Sequence, residues 1–584
     1  MGSQLCFNTK QSVTFLLFSG GILFSLHSTT NKLVSACLLF ISMLYTVAAH
    51  GQTATGAYSW ANLPTAIEPV FKKDTFNITR FGAVADGIAL NTKSINKAIA
   101  DCSAAGGGVV LVPGGVWLTG PLELKSNVNL HIERNAILLF TKDFDQYPLV
   151  EGTFEGRRAA RNQSPLYGNN LENIAITGKG VIDGNGDVWR MVGRNQLTDA
   201  EWKNKIGSGG LVSIDERMWF PSAKTKLAFE QRRTAFMEAG QTLKDFEDIK
   251  DFLRPNLVVL NNCKKVLLEG VTFQNSPAWC LHPVLCEDLT VRNIFAKNPD
   301  YAHNGDGIDI ESCKNVLIEG STFDVGDDGI CIKSGRDEEG RKRGKPTENV
   351  VVRNNIVYKA HGGFVIGSEM SGGARNIFVY DCSFIGTDNG LRFKTARGRG
   401  GVVENIYIKD IRMKDIVRDA VLFDMYYFTK PPAKNEKIEL PQVTEATPRF
   451  QNFYISGIVC DGADRGIFIR GLPEMSVRHI FLENIVLKAN KGAEIIEAND
   501  IHLDNLKLVT GQSAPVIYVE NSNDLRFSGI KYSSTPNLLL SVNGAKSGNI
   551  KFSNTVIADA GNQIVFDNGA KTSMVSINQA VSIY

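Results

Sequence analysis

One short pattern recurs along most of this chain, and it leaves few architectures open. A polar residue, most often Asn or Asp, precedes a short run with apolar side chains at alternate positions. It occurs at Asn173-Ile174-Ala175-Ile176, Lys265-Val266-Leu267-Leu268, Asp288-Leu289-Thr290-Val291, Asn315-Val316-Leu317-Ile318 and Asn349-Val350-Val351-Val352. It returns at Asn376-Ile377-Phe378-Val379, Asn405-Ile406-Tyr407-Ile408, Asn452-Phe453-Tyr454-Ile455 and His479-Ile480-Phe481-Leu482, with weaker copies at Asp524-Leu525-Arg526-Phe527 and Asn549-Ile550-Lys551-Phe552. Alternation is the period of a strand with one buried face. Strands that recur at repeat spacing without helices between them predict an all-β solenoid, a parallel β-helix coiled around a filled interior. The leading Asn suits a tight corner because it tolerates the left-handed conformation, and stacked Asn amides hydrogen-bond along a ladder.

The rest of the chain is read around that coil. Two apolar runs, Val13–Leu26 and Leu33–Ala49, flank Lys32, and the second ends in the small-residue pattern Val47-Ala48-Ala49. Residues 1–49 are therefore expected to be an export signal. That predicts a periplasmic or extracellular protein with no membrane contact once the signal is removed. Residues 50–75 are expected to link it to a β-helix domain over residues 76–584. Near the start of that domain, Asn91–Ala105 has helical periodicity, with Ile95, Ala98, Ile99 and Cys102 on one face. Such a helix caps the open end of a solenoid. A stretch at about residues 190–255 falls outside the repeat. It contains the capping box Thr198-Asp199-Ala200-Glu201 and ends at Arg254-Pro255. Trp189, Trp202 and Trp219 in or beside it either pack the insertion onto the coil or stack on sugar. The charge cluster Arg336–Lys345 is expected to be a solvated loop, or else to attract a polyanion.

Composition narrows the function classes. The formal net charge is +2, which offers no basic surplus for nucleic acid. The ten Cys include no CxxC pair and no His–Cys cluster at metal spacing, so neither a metal nor a cofactor is expected. Cys263, Cys280, Cys286, Cys313, Cys331, Cys382 and Cys460 fall in or near strand-like segments and read as small core residues.

Chemistry concentrates between Asn304 and Lys394. Asp306-Gly307-Ile308-Asp309-Ile310, Asp328-Gly329-Ile330-Cys331-Ile332, Gly362-Gly363-Phe364-Val365-Ile366 and Asn389-Gly390-Leu391-Arg392-Phe393 start 22 to 34 residues apart. Stacked as rungs at about 4.8 Å, they gather Asp306, Asp327, Asp328, His361, Arg392 and Lys394 on one patch. Asp306 and Asp328 align on consecutive rungs, so their pKa values should split. Asp327, one residue earlier, is expected to point elsewhere. His361 aligns with Asp327 and is placed to tune it, while Arg392 and Lys394 share a face and suit a substrate carboxylate. Two carboxylates holding a water opposite a third carboxyl is an arrangement for inverting glycoside hydrolysis, for which about 6.5–9.5 Å between carboxyl groups is expected.

These residues resemble the polygalacturonase family of glycoside hydrolases, family 28. The family pattern runs Asn-Thr-Asp, Gly-Asp-Asp, Gly-His-Gly, Arg-Ile-Lys. This chain has Asn304-Gly305-Asp306, Gly326-Asp327-Asp328, Ala360-His361-Gly362 and Arg392-Phe393-Lys394, with the Gly367-Ser368 that follows the His motif. The resemblance implies a right-handed parallel β-helix and a pectic polysaccharide or oligogalacturonide substrate. It implies Asp327 as general acid, Asp306 and Asp328 as the water-activating pair, His361 as a supporting residue, and Arg392 with Lys394 as binders of the galacturonate carboxylate. Gly305, Ala360 and Phe393 depart from the pattern without altering a titrating group. A family Tyr one rung later corresponds to Tyr426 or Tyr427, with Tyr427 carried as the candidate. Because the insertion leaves the coil shortly before Asp306, it is expected to wall one end of the cleft, which predicts exo action releasing single galacturonic acid units. The competing readings are a Ca²⁺-dependent pectate lyase, with the carboxylates as metal ligands, and a non-catalytic carbohydrate-binding solenoid.

Overall fold

The alternating runs fold as rungs of a parallel coil. In the turn around the aspartates, three strands follow one another: Lys314–Glu319, Thr322–Asp324 and Asp328–Lys333. Their apolar positions Val316, Ile318, Phe323, Ile330 and Ile332 are buried in the interior. The next turn repeats them in parallel register, Val316 opposite Val350, Phe323 opposite Val357 and Ile330 opposite Phe364. Like stacks on like, so the core is one continuous apolar column. Further along, the first two strands of each turn merge into the long strands Val402–Lys414, Arg449–Asp461, Val477–Ala489 and Ala498–Thr510. This computed structural model describes residues 58–433, 439–511, 514–532, 537–555 and 564–578. The expected export signal lies outside the described residues. Among the described residues, no helix is long and apolar enough to cross a membrane.

Asn62–Tyr584 forms one compact unit. Within it, the segment before the first rung lies against the coil. Ile67 donates its N–H to Asp288 Oδ1 at 3.2 Å, and Glu68 pairs with Arg292. The strand Thr75–Asn77 then opens the coil. The expected cap is the helix Thr92–Ala104, with Ile95, Ala98, Ile99 and Cys102 buried.

The corner residues behave as their type dictates. Asp288, Asn315, Asn349 and Asn376 all take positive φ, between 55° and 60°. Asn315 Nδ2 donates to Asp288 Oδ1 at 3.2 Å, Asn349 Nδ2 to Asn315 Oδ1 at 3.1 Å, and Asn376 Nδ2 to Asn349 Oδ1 at 3.2 Å. The eight described cysteines are free and buried.

One sheet positions the site. The third strands of successive turns form a 14-stranded parallel sheet running from Leu122–Glu123 to Ile564–Asp567. Backbone bonds from Leu257 N–H to Trp279, Cys280 N–H to Asp306, Gly307 N–H to Asp328, Gly363 N–H to Asn389 and Gly390 N–H to Asp419 continue the pairing past the strand ends. With Asp328 opposite Gly362, Asn256, Trp279, Asp306, Asp328, Gly362, Asn389 and Asp419 fall in one column across the sheet.

The insertion is a small layer of its own. It holds an antiparallel sheet of Val192–Gly193, Met218–Phe220 and Leu211–Val212, the helices Asp199–Gly207 and Ala223–Glu230, and the 3-10 segment Leu243–Phe252. Thr198 and Glu201 make the expected capping box. Its partner is an antiparallel hairpin, Leu149–Phe154 with Arg157–Asn162, that the sequence pattern did not announce. Ala159 and Ala160 of the hairpin pack with Ala228, Phe246, Ile249 and Leu253 in a second apolar core. Trp189 is buried edge-on to Phe144 and Tyr147, and Trp202 and Trp219 are 6% and 4% exposed. All three pack into the protein.

Candidate active site

The sheet brings Asp306, Asp327 and Asp328 together. One carboxylate oxygen from each lies within 4.8 Å of the others. Asp327 therefore does not point away, contrary to the alternation argument. It sits in the turn before the Asp328–Lys333 strand, where strand alternation does not govern direction. Its Oδ1 accepts the Asp328 N–H at 3.0 Å and faces His361 Nδ1 at 3.0 Å, which turns the carboxylate back toward its neighbours. The facing oxygens are also closer than the expected opening. Two glycines make the approach of segments possible. A Cβ on Gly326 would come within 2.4 Å of the Pro299 carbonyl, and one on Gly367, at φ +100°, within 1.9 Å of the Lys394 carbonyl.

Both cations are already engaged within the protein. Arg392 Nη1 donates to Asp328 Oδ1 at 2.9 Å and Lys394 Nζ to Asp328 Oδ2 at 2.7 Å. Asp328 is 1% exposed and Lys394 5%. Tyr427 covers them, its ring centroid 4.8 Å from Lys394 Nζ and 5.6 Å from Arg392. Tyr426 is buried beside Arg397, whose Nη2 donates to its hydroxyl at 3.3 Å. The structure thus puts Tyr427, and not Tyr426, at the patch.

The three carboxyls differ in proton affinity, as like charges at rung spacing must. Burial, then the charges of Asp309 and Asp327, hold Asp306 well above the usual carboxylate range. Its Oδ1 has no hydrogen-bond partner. Burial alone would also raise Asp328, but Lys394 and Arg392 override it and hold the carboxyl far below the usual range. For Asp327, burial is again the largest influence and is outweighed by the His361 hydrogen bond together with the nearby cations, leaving it lowered. The same bond raises His361. Burial thus raises Asp306, while the His361 hydrogen bond lowers Asp327, the residue that the resemblance makes the general acid.

Several neighbours went unnoticed in the sequence. Asp309 is fully buried with both oxygens lacking a hydrogen bond; Lys333 Nζ lies 3.5 Å away, and burial pushes the carboxyl up to about 8. Lys333 also pairs with Glu369 at 3.0 Å. Asp309 and Lys333 occupy outward positions of the same rungs as Asp306 and Asp328, so period-two reading would have found them. Arg254 carried no such signal. It ends the insertion, yet donates to the His303 carbonyl at 2.7 Å and to Asn304 Oδ1 at 2.9 Å, beside the first motif.

The charge cluster at Arg336–Lys345 is also tied down. It forms the helix Asp337–Arg343, with Arg343 on Glu311 at 2.5 Å, Asp337 on Arg399 at 2.5 Å and Arg336 on Glu155 of the hairpin. Phe154 of the hairpin reaches Trp279, ring centroids 6.4 Å apart. The hairpin thus flanks the aspartate rungs from Trp279 to Arg336, and the insertion packs behind it. On the other side a cavity of about 440 Å³ continues from Arg392, Lys394 and Tyr427 over Asp419 and Phe468.

Known proteins resemble this chain. The model of "Glycosyl hydrolases family 28" matches residues 240–448, which hold all four motifs and Tyr427. A crystal structure of an exopolygalacturonase from Thermotoga maritima superposes with a TM-score of 0.59 at 34% identity, covering 73% of this chain and 89% of that one. The exo-poly-alpha-D-galacturonosidase of Dickeya chrysanthemi is 27% identical over 474 residues, 79% of this chain and 74% of that protein. A probable polygalacturonase of Vitis vinifera is 31% identical over 348 residues; the match spans 58% of this chain and 60% of the grape protein's length. A parallel β-helix with these four motifs on one sheet, matched over nearly the whole of a 34%-identical relative, places the chain in glycosyl hydrolases family 28.

Proposed function

We propose that this protein hydrolyses α-glycosidic bonds of galacturonic acid in pectic polysaccharide or oligogalacturonides, with inversion, acting from a chain end. The observation that carries this reading is the gathering of three carboxyl oxygens within 4.8 Å of one another on one sheet. Two cations lower Asp328 while burial raises Asp306. A carboxylate to draw a proton from water and a carboxylic acid to give a proton to the leaving oxygen are the two requirements of glycoside hydrolysis. The galacturonan substrate and the exo mode are supported by the names of the Thermotoga and Dickeya relatives.

In the proposed sequence a substrate carboxylate docks on Arg392 and Lys394, under Tyr427. That adds a negative charge beside the cluster and draws the cations partly from Asp328, so every nearby carboxyl gains proton affinity. Asp327, with its oxygen within 4.8 Å of Asp306 and Asp328, takes the cluster's proton and delivers it to the leaving oxygen. Asp328 with Asp306 orients the attacking water. His361 sets how readily Asp327 gives the proton up. The wall of hairpin and insertion leaves room for a chain end on one side, and the groove over Asp419 and Phe468 receives the rest of the polymer. Export through residues 1–49 would bring the enzyme to such a polymer.

The Ca²⁺-dependent lyase is the second reading, because three carboxylates within 4.8 Å are a donor set for a hard cation. Both Asp328 oxygens are already engaged by Lys394 and Arg392, so a dication would have to displace them. The experiment is incubation with a panel of pectic polymers, with and without a chelator. Expected are chelator-insensitive new reducing ends, small products from the first time points, slow loss of viscosity, and a first product of inverted anomeric configuration by NMR. An unsaturated, UV-absorbing product would establish the lyase, and binding without reducing ends a non-catalytic solenoid. An oligomer ladder with a rapid viscosity drop would overturn exo action alone.

A further inference from the structure

Beneath the Leu149–Phe154 and Arg157–Asn162 hairpin lies a cavity of about 310 Å³, whose lining includes Arg161, Asn162, Ser164, Tyr167, Asn256 and His282. That is the lower end of the ~300–1,000 Å³ typical of small-ligand sites. Its floor is the outer face of the sheet that carries the aspartates, where Tyr167, Val259 and His282 pair in register.

The unusual group is Arg161. Its side chain lies in a residue only 7% exposed, over the Phe154 ring at 4.6 Å, and Nη2 donates to Asn256 Oδ1 at 3.1 Å. Among the described residues it forms no ion pair with a carboxylate. The acids around it are committed elsewhere. Glu151 holds Arg158 at 2.6 Å, Glu155 holds Arg336, and Glu311 holds His282 at 2.9 Å and Arg343 at 2.5 Å. A second guanidinium, Arg254, adds like charge, and burial followed by that charge lowers Arg161 to about 9, with Glu155 opposing from a distance. A buried cation with no ion pair of its own is costly. An anion entering the cavity would relieve that cost.

Position indicates which anion. Asn256, the partner of Arg161, precedes Trp279 and Asp306 in the column of the aspartates. Two rungs at about 4.8 Å put it roughly 10 Å from Asp306, on the walled side of the patch. We infer that the Arg161 cavity binds the carboxylate of an acidic sugar unit. The choice of sugar rests on the galacturonan reading above. Two sources share this chemistry: the terminal unit of the bound chain, which the wall receives, or a free uronate retained after release.

The test uses the full chain with Arg161→Gln and Arg161→Lys, assayed on di- to hexagalacturonate, with galacturonate and neutral galactose as added sugars. A charge-assisted hydrogen bond is lost, so an effect of about 10- to 100-fold is expected. If the chain end supplies the carboxylate, Arg161→Gln raises KM by that factor for every oligomer, with kcat much less affected. If free uronate supplies it, KM holds and inhibition by galacturonate weakens by the same factor. Arg161→Lys recovers part of either effect, and galactose is inert throughout. The melting temperature stays level or rises, because no internal ion pair is broken. A lowered melting temperature with KM and inhibition unchanged would mark a packing residue and overturn the inference. Calorimetric titration of galacturonate into wild type and Arg161→Gln needs no turnover. Loss of one binding event in the variant upholds the site even if pectic hydrolysis fails, and identical isotherms overturn it even if hydrolysis is found.

Discussion

Replacing Lys394 with Met removes one of two cations from a buried carboxylate and should be felt in stability, acidity and binding at once. Lys394 Nζ lies 2.7 Å from Asp328 Oδ2 and Arg392 Nη1 lies 2.9 Å from Oδ1. At an effective dielectric near 20, each pair has a gross attraction of about 6 kcal/mol, much of it offset by the desolvation of groups this deeply buried. Breaking a buried pair typically costs about 3–5 kcal/mol. Arg392 remains to share the charge, so the low end is expected. The sign with pH follows from the depressed Asp328 carboxyl. Its stabilisation is present above the unfolded carboxylate pKa of about 3.9 and is lost as pH falls through the lower folded value. Lys394→Met lets the folded value climb. The acid limb of kcat/KM therefore moves to higher pH, and the variant's stability deficit is largest near neutrality and narrows in acid. Loss of the substrate contact adds about 1.5–3 kcal/mol, roughly 10- to 150-fold in kcat/KM on free-acid oligomers. Urea denaturation at several pH values and a pH–rate profile read all three effects, with Lys394→Arg as the charge-preserving control. A variant with lower kcat/KM but an unmoved acid limb would refute the coupling of Lys394 to Asp328.

Asp327→Asn should lower kcat by about 10²–10⁴-fold at an unchanged melting temperature, and a well-folded variant with normal turnover would remove Asp327 as the proton donor. His361→Ala takes away the hydrogen bond that lowers Asp327, so the pKa of Asp327 rises and the alkaline limb of kcat moves up in pH; a fixed limb would show that His361 does not tune it. Methyl-esterified oligogalacturonates should be poor substrates for the wild type, and equal kinetics on free-acid and esterified oligomers would exclude Arg392 and Lys394 as carboxylate binders. In the corner ladder, Asn349→Ala loses two amide hydrogen bonds and strains a residue at φ +60°, for a loss of roughly 2–4 kcal/mol. Asn349→Gly keeps the left-handed turn and should cost about 1–2 kcal/mol less than Ala, so equal urea midpoints for the two variants would refute the strain argument.

Local chemistry determines a great deal of this protein. Alternation of Val350, Val352 and their counterparts can bury one face only as a strand. The Asn at most corners specifies a left-handed turn that repeats from rung to rung. Since parallel stacking sets Asn315 against Asn349 and Asp306 against Asp328, the register of the four motifs was legible too, and with it the pairing of His361 with Asp327. What escaped was whatever depends on side-chain direction in turns and on contacts between distant segments. Asp327 lies outside its strand, so two hydrogen bonds, rather than the strand period, turn it toward its neighbours. Tyr426 and Tyr427 are adjacent in the chain, and only packing against Arg397 or over Lys394 distinguishes them. Arg254 and Arg161 come from the insertion and a hairpin without periodicity, and reach the sheet only because Ala159, Ala160, Phe246 and Ile249 form a core of their own. The splitting of the three carboxyls was likewise hidden. Lys394 and Arg392 both fall to Asp328 while burial raises Asp306, a balance of distances of a few ångströms that residue order along a strand does not encode.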